Sequence, residues 1–222
     1  MKSKRITSIG LLVALSIVAG YFIHFPILPQ APFLLYDPGS VFLLIGSFKL
    51  GPKIGVLMSL ITAMLFALIT GQGGPYGALM NFLATGTFVF VSSQIYFLHH
   101  DKKGAILGLT LGTLAMTLIM VPANLIITPL YLGVEREIVV KMLIPAIIPF
   151  NLLKGIISGF ITFILYKRLY QIDYAARIFA PGHQPSILQH FSYKLSSPFF
   201  RIAYRVLRIA LRKEARVKPY LV

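Results

Sequence analysis

Four polar side chains interrupt the long apolar runs of this chain: Asn81, Asn124, Asn151 and Lys154. The three asparagines are the only ones present, and all of them fall inside segments that read as helices. Lys154 is the only charged residue well inside such a segment. Amides donate and accept hydrogen bonds and an ammonium only donates, so a cavity holding them among apolar walls suits a flat, neutral or weakly acidic organic molecule. Asn151 and Lys154 are three residues apart and share a helix face. Tyr36 and Asp37 close a Pro-rich loop and add a phenol and a carboxylate, expected at the outer rim of the same cavity. The competing expectation is that each asparagine bridges two helices and that Lys154 snorkels to the interface.

Catalytic constellations are lacking. The chain has no GxSxG elbow, HExxH pair or P-loop, and no paired carboxylates within an apolar segment. It has no cysteine, and His24, His99, His100, His183 and His190 fall in loops, at a helix end or in the tail. Neither enzymatic activity nor a cofactor or metal is expected. Without a phosphate-binding loop the chain does not hydrolyse ATP itself, and without an acidic relay it is a poor ion-coupled carrier. A binder that draws energy from partners fits better.

The elements that must position these groups are membrane spans. Of 222 residues 57% are hydrophobic and 12% charged, against ~25% charged in ordinary soluble domains. The apolar residues also run uninterrupted over span lengths. The pattern predicts helices at about 7–23, 40–48, 52–69, 78–98, 105–128 and 145–169. The second is too short to cross ~30 Å alone, so it must be tilted, extended by irregular backbone or shielded by neighbours.

Loop charge decides the parity. Lys2, Lys4 and Arg5 precede the first helix, Lys49 and Lys53 follow the second, Lys102 and Lys103 follow the fourth, and Lys167 and Arg168 end the sixth. The loops after the first and third helices carry no Lys or Arg. The alternation closes only if the short second segment counts as a crossing. The expected fold is an all-α integral membrane protein of six transmembrane helices with both termini cytoplasmic. Helices four and six then enter from outside, which puts Asn81, Asn151 and Lys154 ~5 to 15 Å below the outer surface, with Asn124 in the same outer half.

Small residues recur every fourth position in helix three (Gly51, Gly55, Ser59, Ala63, Ala67), helix five (Gly104, Gly108, Gly112) and helix six (Gly155, Gly159). Such faces let helix backbones approach closely. Gly10 and Ala14 in helix one have the same spacing, and there a partner protein competes with internal packing. The chain divides at about residue 170 into a membrane domain, 1–170, and a basic tail, 171–222. Arg201, Arg205, Arg208 and Arg212, interleaved with apolar residues, predict an amphipathic helix on the anionic inner leaflet. The formal charge of +15 is thus topology signal and tail, not a nucleic-acid footprint.

Three segments carry a resemblance: FLLYDPGSVFLLIGSFKLGPKIGVL (33–57), GALMNFLATGTFVFV (77–91) and IPFNLLKGIISGFITFILYKRL (148–169). They resemble the riboflavin-specific S components of energy-coupling factor (ECF) transporters, with Tyr36-Asp37-Pro38, Pro149-Phe150-Asn151 and Lys154-Gly155 as the most specific pieces. The resemblance spans roughly 6–170 and ends at the tail. It implies a six-helix vitamin-binding subunit in a bacterial plasma membrane, which hands riboflavin to a transmembrane coupling protein driven by two cytoplasmic ATPases. Carried over by motif, the flavin contacts fall on Asn124, Asn151 and Lys154, with the loop 32–37, including Leu35, Tyr36 and Asp37, as a cap; Asn81 joins them on its depth alone. The family's coupling contact, an Ala-x-x-x-Ala pair, corresponds to Gly10 and Ala14, and the basic tail has no family counterpart. An S component for another vitamin, or a membrane protein outside transport, are the alternative readings.

Overall fold

The computed structural model describes residues 2–178 other than 30 and 72. The chain divides into two units, Met1–Tyr170 and Gln171–Val222. The arginines of the expected tail helix, Arg201 to Arg212, lie outside the described residues.

Among the described residues seven α-helices follow in order: α1 Lys2–Phe22, α2 Gly39–Leu50, α3 Pro52–Thr70, α4 Gly74–Leu98, α5 Lys102–Leu132, α6 Arg136–Met142 and α7 Ile148–Ile178. A π-helical turn, Leu143–Ile147, joins α6 to α7. Among the described residues five segments are long and apolar enough to cross a membrane, the last running through α6, the π-turn and α7. The short apolar α2 makes the sixth helix of the bundle. The stretch between the predicted helices at 105–128 and 145–169 is itself helical over Arg136–Met142. Glu135 starts it, and the i,i+4 pair Glu137–Lys141, 2.8 Å apart, lies on its exposed side.

The short helix α2 answers the length problem by shielding. Its 12 residues rise ~18 Å, and Gly39, Ser40, Val41, Leu43, Leu44, Gly46, Ser47 and Phe48 are buried. At one end Arg5 donates to the Leu50 carbonyl, 3.1 Å. At the other end Ser16 Oγ, more than three turns along α1, donates to the Gly39 carbonyl, 2.9 Å. α2 therefore begins in the middle of the bundle. A Cβ on Gly39 would stand 2.7 Å from the Ser16 carbonyl oxygen, so only glycine permits this approach. The remaining depth is taken up by residues 23–38, where Phe25–Pro26 pairs antiparallel with Leu35–Tyr36. Of the described residues of this strap Ala31 and Tyr36 are buried, whereas Ile23 to Pro26, Pro32 and Phe33 are exposed.

Gly51, at φ 106°, turns the chain from α2 into α3, and Pro52 opens α3 at a position that needs no backbone donor. The small-residue faces pack as their spacing predicts. Gly55 lies against Ser47 and Val89, and Gly108 and Gly112 against Ser92 and Phe88. Gly155 sits against Thr113 and Gly159 against Leu109, which runs α5 and α7 antiparallel. At the end of the bundle where α2 terminates, Phe48 stacks on Tyr96 with centroids 4.6 Å apart, and the Tyr96 and Tyr166 hydroxyls meet.

Candidate functional site

Lys154 is buried in α7, and its ammonium lies 2.8 Å from Asp37 Oδ2. The two side chains are 10% and 25% exposed, so this is an intramembrane ion pair and not a lysine reaching for the interface. Asp37 Oδ1 accepts from the Gly39 N–H, 3.0 Å, at the start of α2. One carboxylate thus caps a helix whose N-terminus favours negative charge and neutralises the lone spanning cation. Four residues further along α7, Ser158 receives a hydrogen bond from Ser40 Oγ, 3.1 Å. α2 and α7 are pinned together by these two contacts.

Asp37 and Tyr36 do not stand at the outer rim, as the loop reading expected. The cause is the half-depth start of α2, which draws both residues inward. Tyr36 is 3% exposed and its hydroxyl makes no hydrogen bond of good geometry. Leu35, beside it in the strap, is half-buried.

A small polar cavity lies where α1, α2, α3 and α4 converge. Ser16, Asp37, Ser40, Thr62, Asn81 and Thr85 are among its lining residues, and its free volume is about 20 Å³. That holds roughly one water molecule and no organic ligand. Thr62 Oγ1 is buried without a partner there. Asn81 Oδ1 accepts from Thr85 Oγ1, 3.0 Å, within its own helix.

Asn124 and Asn151 are each 2% exposed and do not line that cavity. Asn124 Nδ2 donates to the Met120 carbonyl, 2.7 Å, and its Oδ1 accepts from Thr128, 2.9 Å. Asn151 Nδ2 donates to the Ile147 carbonyl, 2.8 Å, at the end of the π-turn. None of these bonds crosses between facing helices, so the bridging expectation is not what holds them. The opposition of Thr113 and Gly155 sets their heights. At 1.5 Å per residue Asn151 lies ~6 Å beyond that contact and Asn124 ~16 Å beyond it. The polar groups thus form a ladder along α5 and α7 with Lys154 at its foot, not a cluster at one depth.

Sequence reading missed Ser16, Ser40, Thr62 and Ser158. The signal was present for one of them: Asn151, Lys154, Ser158 and Thr162 follow at spacings of three, four and four, one polar face of α7. Ser16 and Ser40 carry no such pattern, because their partners lie on other helices.

The arrangement can hold a neutral ligand by directional hydrogen bonds in an apolar shell, provided the helices and strap separate to admit it. Gly10 and Ala14 lie elsewhere, on an exposed face of α1, and a Cβ on Gly10 would meet nothing within 4 Å.

Comparison with known proteins bears on the same segment. A family model described as the substrate-specific component of ECF transporters matches residues 4–166. The riboflavin transporter RibU of Staphylococcus aureus (strain TCH60) is 33% identical over 174 residues, covering 76% of this chain and 91% of that protein. The riboflavin transporter RibU of Streptococcus thermophilus is 34% identical over 184 residues, covering 77% and 84%. The riboflavin transporter FmnP of Bacillus subtilis is 26% identical, covering 76% and 93%. A solved S component of a bacterial ECF transporter is similar at a TM-score of 0.68 and 32% identity, over 78% of this chain and 98% of that one.

Proposed function

The chain belongs to the substrate-specific components of ECF transporters, a family of multi-pass membrane transport proteins and not of enzymes, and from that premise we propose that it captures riboflavin from outside the cell. Release inward would occur only when the chain is coupled to a transmembrane protein and two cytoplasmic ATPases. Similarity to riboflavin transporters over three quarters of the chain supports the substrate.

The observation that carries the site is the buried polar ladder Asn124, Asn151 and Lys154 on the facing helices α5 and α7. In this reading the two amides orient the edge of the isoalloxazine ring, and Lys154 donates to a ring carbonyl or to the ribityl chain. Both amides spend a donor on a carbonyl of their own helix, so each keeps hydrogen-bonding capacity for a ligand. Asn81 adds a further amide on α4. The loop 32–37, with Leu35, Tyr36 and Asp37, caps the ligand. Apolar walls supply most of the affinity.

Orientation follows from the loop charges, with both termini cytoplasmic and the strap outside. The exposed Gly10–Ala14 face of α1 is the docking stripe for the coupling protein, where small residues admit a partner helix closely. Residues 1–170 bind substrate, and 171–222 are a basic cytoplasmic tail whose charge suits an anionic leaflet. No cofactor takes part.

Equilibrium titration of the purified full-length protein with riboflavin, read by quenching of flavin fluorescence, tests the assignment. Saturable quenching at sub-micromolar protein is expected. Its absence at micromolar protein, with the protein folded and monodisperse, would overturn the substrate.

A further inference from the structure

The α3–α4 pair carries an open groove of about 450 Å³, and no residue of the polar ladder lines it. Phe82, Gly86 and Phe90 line it from α4, and Val56 and Lys53 from α3. The spacing on α4 explains the shape. Phe82, Gly86 and Phe90 are four residues apart and fall on one stripe, and the missing side chain at Gly86 lets the Phe82 ring lie against the helix, which leaves a slot between that ring and Phe90. Gly86 is itself buried, and a Cβ there would stand 3.2 Å from the Phe82 ring. From Phe82 to Phe90 the slot rises ~12 Å.

Charge marks one end of it. Gly55 opposes Val89, which puts Lys53, two residues before Gly55, below the Phe90 end of the slot. Lys53 is exposed, and Lys49 lies just across the Gly51 turn, also exposed. Arg5, bonded to the Leu50 carbonyl, brings a third cation to the same end of the bundle. An apolar slot that runs up the membrane-facing side from a cationic foot is complementary to one class of molecule, an acyl chain with an anionic headgroup.

We propose that this groove is a binding site for a single anionic phospholipid, with one acyl chain between the Phe82 ring and Phe90 and the headgroup phosphate at Lys53. Bulk lipid would cover any smooth apolar face without preference. A slot with a lysine at its foot gives both chain and headgroup something to recognise. The site is independent of riboflavin capture.

Native mass spectrometry of the delipidated full-length protein, titrated with phosphatidylglycerol and with phosphatidylcholine, tests this. One phosphatidylglycerol is expected to bind about fivefold more tightly than phosphatidylcholine, the worth of one lysine near an anionic headgroup. Lys53→Gln should erase that preference while leaving chain binding intact. Gly86→Leu, which drives the Phe82 ring out into the groove, should abolish retention of both lipids. Val56→Phe fills it from α3 and serves if Gly86→Leu does not fold, as judged by monodisperse elution and thermal unfolding. Equal retention of the two lipids by the unaltered protein would overturn the proposal. So would unchanged phosphatidylglycerol binding in Lys53→Gln and in a folded slot-filling variant, which would assign the lipid to the basic tail or to the general annulus.

Discussion

Lys154 on α7 and Asp37, two residues before α2, are 117 positions apart in sequence and 2.8 Å apart in space. The pair joins the last span to the strap, and it neutralises the one cation well inside a span. It also makes Asp37 a positioning residue: the carboxylate holds the Lys154 ammonium and the first N–H of α2, so it has little left to offer a ligand. Four tests follow from this geometry and its surroundings.

Breaking the pair on one side strands the other charge. Asp37→Asn is expected to destabilise the protein by about 2–3 kcal/mol, below the 3–5 of a fully buried pair because Asp37 is partly exposed. The double variant Asp37→Asn with Lys154→Met should recover most of that loss, since no charge is left in the bundle. Thermal unfolding in detergent reads both. Additive losses in the double variant would show that the two residues do not act as a pair.

Removing the ladder amides should cost ligand affinity more than stability. Asn124→Ala and Asn151→Ala are each expected to weaken riboflavin binding about tenfold, the worth of one buried hydrogen bond. Unfolding should change little, because each amide bonds mainly within its own helix. Fluorescence titration beside a melting curve separates the effects. Unchanged affinity in both variants would remove the ladder from the site.

Two glycines predict opposite outcomes for the same substitution. Gly39→Ala forces a Cβ to 2.7 Å from the Ser16 carbonyl oxygen and should destabilise by about 1–3 kcal/mol as α1 and α2 are pushed apart. Gly10→Ala meets nothing within 4 Å and should be neutral or slightly stabilising in the isolated protein. Equal melting temperatures for the two variants would contradict the packing at Gly39.

A large residue on the open stripe of α1 tests the partner surface. Gly10→Leu should leave riboflavin binding by the isolated chain intact and lower co-purification with the coupling protein and ATPases, because it removes the close approach a helix needs. Uptake in cells would fall with assembly. Normal assembly would move the docking surface to another face.

Much of the architecture is legible in the sequence for a physical reason: hydrocarbon forces backbone groups to bond within helices, so apolar runs map onto spans. The runs at 52–69 and 78–98 lie within helices α3 and α4, and the small-residue stripes pack as their fourfold spacing requires. The KLGPK break after α2 is a real turn, because Gly51 adopts a φ that other residues rarely take. Local pattern also singled out Asn124, Asn151 and Lys154, since a polar group in an apolar run costs too much to be incidental.

What local pattern does not carry is which groups meet. The sequence by itself determined a membrane bundle with a short second helix and a few costly polar groups inside it. Only the tertiary structure decided that the short helix starts at half depth, and this one fact moves Asp37 and Tyr36 from an expected rim into the interior. It also decided that Lys154 is paired, that Ser16 and Ser158 anchor the start of α2, and that the asparagines are spread along α5 and α7. Helix periodicity is a property of neighbours in sequence. An ion pair across 117 residues, and the burial that gives it strength, depend on how separate helices pack.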